Sequence, residues 1–219
     1  MTRKLFILSS FLVFCHCLFA QNMLQEATLF YDIEITAPKD DGVKKLLDGS
    51  ALRVYIKGEK TRTDVISSVG TETAIYNNRT NVGAILKEYS GQKIIIHLNK
   101  ENWLDKSKLF RGLQFSMTNE TKQINGFQCK KAYSTLEDGD RLEVYYTSDV
   151  LLANKDYNNS FYALSGTPVQ YEIKSGSMVF KYILKRIDYD LVPFSTFDIP
   201  KQGYRVLQYE DAAQLRKGM

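Results

Sequence analysis

The chain has 219 residues, 29 Lys and Arg against 25 Asp and Glu, and a formal net charge of +4. So small a charge excludes a nucleic-acid footprint, because the densest basic stretches, Lys100 to Lys108 and Lys181 to Arg186, are interleaved with acids or apolar residues. Three cysteines and two histidines exclude a disulfide scaffold, and no cluster has the spacing of a zinc site.

At the start, Arg3 and Lys4 precede an apolar run from Leu5 to Phe14, and a short stretch then ends at the small residue Ala20. This order predicts a secretory signal peptide over residues 1–20. Ser9, Ser10 and His16 interrupt it, so it is not read as a membrane span. A lipoprotein start is disfavoured, since bulky Phe14 precedes Cys15 and His16 precedes Cys17. The expected mature chain, 21–219, is one soluble domain destined for the periplasm or the medium, with no transmembrane segment after cleavage. It carries a net charge of +2 and a single thiol, Cys129.

Period-two alternation dominates the expected mature chain, and it predicts half-buried strands. Tyr31, Ile33 and Ile35 alternate with Asp32 and Glu34, then Leu52, Val54 and Ile56 with Arg53, Tyr55 and Lys57. Further on, Leu142, Val144 and Tyr146 alternate with Arg141, Glu143 and Tyr145. Met178, Phe180, Tyr182 and Leu184 repeat the pattern. Turn dipeptides Gly58-Glu59, Ser90-Gly91, Asn125-Gly126, Asp138-Gly139 and Ser175-Gly176 lie between such runs. They predict hairpins, with type I′ turns at Asn-Gly and Asp-Gly, and hence antiparallel neighbours. Helical spacing is confined to three short segments: around Val43–Leu47, after the cap Asn99, and from Ala212 to Lys217.

The predicted fold is mainly β: a strongly curved antiparallel sheet, an unclosed β-barrel of about ten strands with two or three short helices. An open sheet of that length curls to bury its apolar face. Fourteen tyrosines suit such a wall, because a phenol buries its ring and keeps its hydroxyl at a wet rim.

No catalytic constellation emerges. His97 and Cys129 are the only imidazole–thiol pair of the expected mature chain. His97 reads as a strand residue and Cys129 as a small core hydrophobe. Glu137, Asp138 and Asp140 surround one turn without the ligand order of a calcium loop. Neither a nucleophile elbow nor a phosphate loop is present. Neither a metal nor a cofactor is expected.

The stretches Tyr55-Ile56-Lys57-Gly58-Glu59-Lys60-Thr61-Arg62 and Lys122-Gln123-Ile124-Asn125-Gly126-Phe127-Gln128-Cys129-Lys130-Lys131-Ala132 carry a resemblance, supported by Gly166 to Ile173 and Phe197 to Tyr204. They resemble a family of exported bacterial proteins of unknown function, related to the group named for its Gly-Leu-Pro-Gly-Leu-Ile motif (GLPGLI). In this chain Leu164-Ser165-Gly166-Thr167-Pro168 stands where that motif would be. The family is similar in outline to the half-barrels of periplasmic lipoprotein carriers (LolA-like), whose apolar cavity holds acyl chains. The resemblance implies a lipid or an acylated protein as partner and brings no catalytic residues.

Two main expectations result. The first is an exported binder of a hydrophobic ligand, with Ile33, Val54, Ile56, Phe115, Val144, Tyr146, Tyr171 and Phe180 as candidate lining residues. The second is an envelope interaction or structural module whose interior is filled by its own side chains. An envelope hydrolase, needing two acids across a cleft near His97, is a third and weaker reading.

Overall fold

The computed structural model describes residues 23–36, 42, 46–110 and 112–217. The expected signal peptide and Val43 of the first predicted helix lie outside the described residues. Twelve strands form one sheet: β1 (Glu26–Thr36), β2 (Ala51–Lys57), β3 (Lys60–Ser67), β4 (Gly70–Asn77), β5 (Val82–Tyr89) and β6 (Gln92–Leu98), then β7 (Ser116–Ile124), β8 (Phe127–Thr135), β9 (Arg141–Thr147), β10 (Thr167–Ser175), β11 (Met178–Asp188) and β12 (Arg205–Val206). Their order is β12-β6-β5-β4-β3-β2-β1-β11-β10-β9-β8-β7. Every neighbour is antiparallel except β12, which runs parallel to β6. The sheet is open: β12 and β7 end it without meeting.

Hairpin chemistry explains this order. All five turn dipeptides sit at junctions between paired strands. At Asn125-Gly126 both residues have positive φ, 47° and 87°, as a type I′ turn requires. Asp138-Gly139 differs from the expectation, because only Gly139 is left-handed (φ 86°). Five residues separate β8 from β9 there, and Leu136 N–H donates to Asp140 O at 2.8 Å, so a longer loop replaces the two-residue turn.

Cross-strand partners share a face, so register sorts the side chains into two layers. Val54 lies opposite Thr63, Thr63 opposite Ala74, Ala74 opposite Ile85 and Ile85 opposite Ile96, all on the inner face. On the other limb of the sheet the same layer holds Val144, Tyr171, Tyr182 and Ile33 in one row. Two connections and two helices cover this face. Helix α1 (Lys100–Lys106) starts at an Asn99/Asn102 capping box and lays the only tryptophan, Trp103, flat on Tyr76 at 4.4 Å. Helix α2 (Tyr209–Lys217) adds Tyr209 and Ala212 to the same cluster. The connection between β9 and β10 contributes Leu152, Phe161 and Leu164 to the largest core.

The outer face of β3–β6 is covered by a separate segment, residues 189–204, through Val192 and Phe197 packed on Ile75, Ala84, Leu86 and Ile95. Arg62 staples that cover. Its Nε donates to Asp64 Oδ1 at 2.8 Å and its Nη1 to the Thr196 carbonyl at 2.9 Å, while Thr73 Oγ1 donates to the same carboxylate oxygen at 2.7 Å. Asp64 is only 7% exposed, so removing its cation leaves a nearly buried charge. Arg62→Met is expected to destabilise the protein by about 2 kcal/mol in urea unfolding. Adding Asp64→Asn should recover part of that loss.

Candidate functional site

The ladder between β9 and β10 is incomplete, and the site begins there. Pairing runs from Thr167↔Thr147 to Tyr171↔Val144 and stops, although β9 continues to Arg141 and β10 to Ser175. At the paired end the strands are pressed together: a Cβ on Gly166 would lie 2.3 Å from the Thr147 carbonyl oxygen. Past Val144 they diverge. A cleft of about 630 Å³ occupies the gap, lined among others by Phe110, Leu136, Leu142, Tyr171 and Ile173. Its rim carries five acids (Glu137, Asp138, Asp140, Glu143, Glu172) against two bases, Arg141 and Lys174.

Phe110, at the end of a 3-10 turn (Lys108–Phe110), stands where three hollows meet. One is the cleft. Another, of about 190 Å³, lies beside it on the inner face between Leu52, Val65, Tyr157, Tyr171, Ile173 and Tyr182. The last, about 130 Å³, lies against Trp103, Ser107, Asn158 and Ser160. A further hollow of about 540 Å³, walled by Lys60, Asn77, Phe197, Asp198 and Lys201, belongs to the cover formed by 189–204.

Beside these hollows aromatic rings pack into the interior. Tyr31, Phe161, Tyr171 and Tyr182 form a chain of rings, with centroids 6.2 Å apart for Tyr31–Tyr171, 4.6 Å for Phe161–Tyr171 and 4.8 Å for Tyr171–Tyr182. Tyr31 Oη donates to the Pro168 carbonyl at 2.8 Å. Asn158 Nδ2 donates to Tyr171 Oη at 3.3 Å. Burial holds the Tyr31 and Tyr171 phenols well above the usual tyrosine range, so this wall stays uncharged.

The eight residues singled out from alternation all belong to or pack against one core. Tyr171 borders the cleft and the neighbouring hollow. Ile33, Val54, Ile56, Val144 and Tyr146 are enclosed in packed core, and Phe115 and Phe180 are half-buried against it. Leu142 and Ile173 are not among the eight, yet both line the cleft, on the same faces as Val144 and Tyr171. Phe110 carries no periodic signal, because a single 3-10 turn places it.

Catalysis gains no geometry. His97 is exposed on the outer face and Cys129 is buried, on strands separated by eight others. Burial pushes the Cys129 thiol up to about 11, away from thiolate chemistry. Among the described residues no His, Cys, Asp and Glu group could hold a metal ion, and no helix is long and apolar enough to cross a membrane.

No protein-family profile matches the chain, and neither does any curated protein. Among solved structures it is similar to PNGF-II in C2 and P21 crystal forms, at 14% and 15% identity and a TM-score of 0.46. Those alignments cover 87% and 88% of this chain but 32% and 34% of PNGF-II, so the chain spans about a third of that protein. It is also similar to LprF from Mycobacterium bovis (12% identity, TM-score 0.36, covering 80% of this chain and 90% of LprF). MucB in complex with MucA(peri) matches at 10% identity and a TM-score of 0.39, over 81% of this chain and 56% of MucB.

Two measurements check the wall. Both phenols titrate near pH 10 when unfolded and higher when folded, so their contribution is complete below pH 10 and declines above it. Stability in urea is expected to fall above about pH 10 by ~1.4 kcal/mol per pH unit per phenol. Cys129 should resist a thiol reagent at pH 8 in the folded protein and react at once in denaturant.

Proposed function

We propose that this is an exported binding protein which takes a lipid or another hydrophobic ligand into the inner side of its half-barrel. The observation that carries the reading is the cleft of about 630 Å³ beside Phe110, continuous in its lining with the neighbouring hollow through Tyr171 and Ile173. Its volume falls within the range of about 300–1,000 Å³ common to small-ligand sites. Neutral phenols, Leu136, Leu142 and Ile173 supply an apolar wall, and the charged rim keeps the mouth wet.

Each methylene buried against that wall contributes about 0.8 kcal/mol. Ten of them give roughly 8 kcal/mol before ordering costs, the scale of micromolar affinity. Phe110 lies on the lining that the cleft shares with the neighbouring hollow, so its ring limits the space open to the ligand. Export would deliver the protein to the periplasm or the medium, where such a ligand needs shielding from water.

Lipid mass spectrometry on an organic extract of the protein purified from its native host tests this reading. A stoichiometric lipid is expected, together with saturable uptake of a fluorescent fatty acid. Ile173→Glu, at a half-buried position in the wall, should weaken that uptake by about tenfold by placing a carboxylate there. Phe110→Ala should strengthen it by joining the cleft to the neighbouring hollow. A clean extract together with no fatty-acid uptake would overturn the reading, leaving an envelope interaction module filled by Tyr31, Phe161, Tyr171 and Tyr182.

A further inference from the structure

We propose that the slot between β9 and β10 receives an extended peptide, with alternating basic and apolar side chains, that joins the sheet as an additional strand. The proposal goes beyond the hydrophobic-ligand reading and stands without it, because it rests on the backbone of two strands and on the charge of the rim.

Both walls are regular strands that have lost a partner on one side only. β9 stays paired with β8 as far as Arg141↔Thr135, and β10 with β11 as far as Ser175↔Met178. Toward each other they are paired only up to Val144↔Tyr171. Beyond that point the N–H and C=O groups facing the slot have no ladder partner, so an edge is opened inside the sheet. Unpaired strand edges are templates for another strand. The opening passes through the sheet, since its lining includes Leu142, Tyr171 and Ile173 of the inner face and Glu143, Tyr145, Glu172 and Lys174 of the outer one.

The dimensions select a short segment. From Val144 and Tyr171 the slot extends to Asp140 and Lys174, whose ion pair at 2.7 Å bridges its far end. Three or four residues at about 3.3 Å each fill that depth. Since β9 and β10 are antiparallel, the guest must run parallel to one and antiparallel to the other. The Asp140–Lys174 pair is exposed and contributes little, so a guest displaces it readily.

Charge selects the side chains. Asp140 is matched by Lys174, and Glu143 by Lys131 and Arg141, whereas Glu137, Asp138 and Glu172 have no ion pair among the described residues. A strand presents alternate side chains to opposite faces. One set therefore meets Phe110, Leu142, Tyr171 and Ile173, and the other meets the acidic rim.

The probe is a fluorescein-labelled hexapeptide, Lys-Val repeated three times, titrated with the purified protein by fluorescence anisotropy. Saturable binding is expected, with a loss of about tenfold or more when the valine nitrogens are methylated, which removes ladder donors. A Glu-Val counterpart should bind at least about tenfold more weakly, and Glu137→Lys with Glu172→Lys, both exposed positions, should weaken the Lys-Val peptide by a similar factor. Hydrogen exchange should slow at residues 141–143 and 172–174. Equal binding of the methylated peptide, protection confined to other strands, or no saturation at millimolar peptide would overturn the proposal. Fatty-acid uptake by the same preparation separates the two readings: peptide binding without uptake removes only the lipid ligand, and uptake without peptide binding removes only the guest strand.

Discussion

Twelve strands in one open sheet create more apolar surface than the chain has helices to cover. The structure depends on how that shortage is met. Burying apolar area at roughly 25 cal/mol per Å² drives the sheet to curl, so that its inner face meets itself and the connections that enter it. Helices α1 and α2 cover only the β4–β6 end, through Trp103, Tyr209 and Ala212. Across the rest, irregular segments do the covering with single anchors: Leu152, Phe161 and Leu164 from one, Phe110 from another. Single anchors leave gaps between them. The hollows around Phe110 result from covering a long sheet with loops.

The outer face solves the same problem differently. Segment 189–204 crosses β3–β6 and is held by two buried residues, Val192 and Phe197, plus the Arg62–Asp64–Thr196 staple. Tyr204 adds a hydrogen bond to Glu88. Polar fixing suits a thin cover, because one strap cannot exclude water by area alone. On the inner face the polar contacts are instead deep and few, such as Tyr31 to Pro168 and Asn158 to Tyr171. The first ties β1 to β10, and the second ties the β9–β10 connection to the ring stack beside the open cleft.

Much of the architecture was legible in local pattern. Alternation at Tyr31–Ile35, Leu52–Ile56 and Leu142–Tyr146 marks buried faces correctly, since period two is a property of the extended backbone itself. The positive φ at Asn125, Gly126, Ser90 and Gly91 agrees with hairpin turns read from residue type. Asn99 caps α1 as its side chain predicts. Twelve strands stand where about ten were expected, and the two-residue β12 exists only because the C-terminal segment is laid beside β6. No local signal can reveal a pairing between residues over a hundred positions apart.

The candidate site was less legible, for a specific reason. Alternation states which side chains point inward, yet it says nothing about which inward positions are met by a covering group and which by space. Val54 and Tyr171 carry the same pattern, but Val54 is sealed in core and Tyr171 borders a cleft. What the sequence by itself determined is the set of local choices: strands, turns, the α1 cap, and the inward set of apolar residues, all governed by backbone geometry over a few residues. Tertiary structure alone decided that β9 and β10 part after Val144 and Tyr171, and that Phe110 stands in the opening they leave. Such placements depend on the competition of distant segments for one buried face, and no short stretch of the chain encodes that outcome.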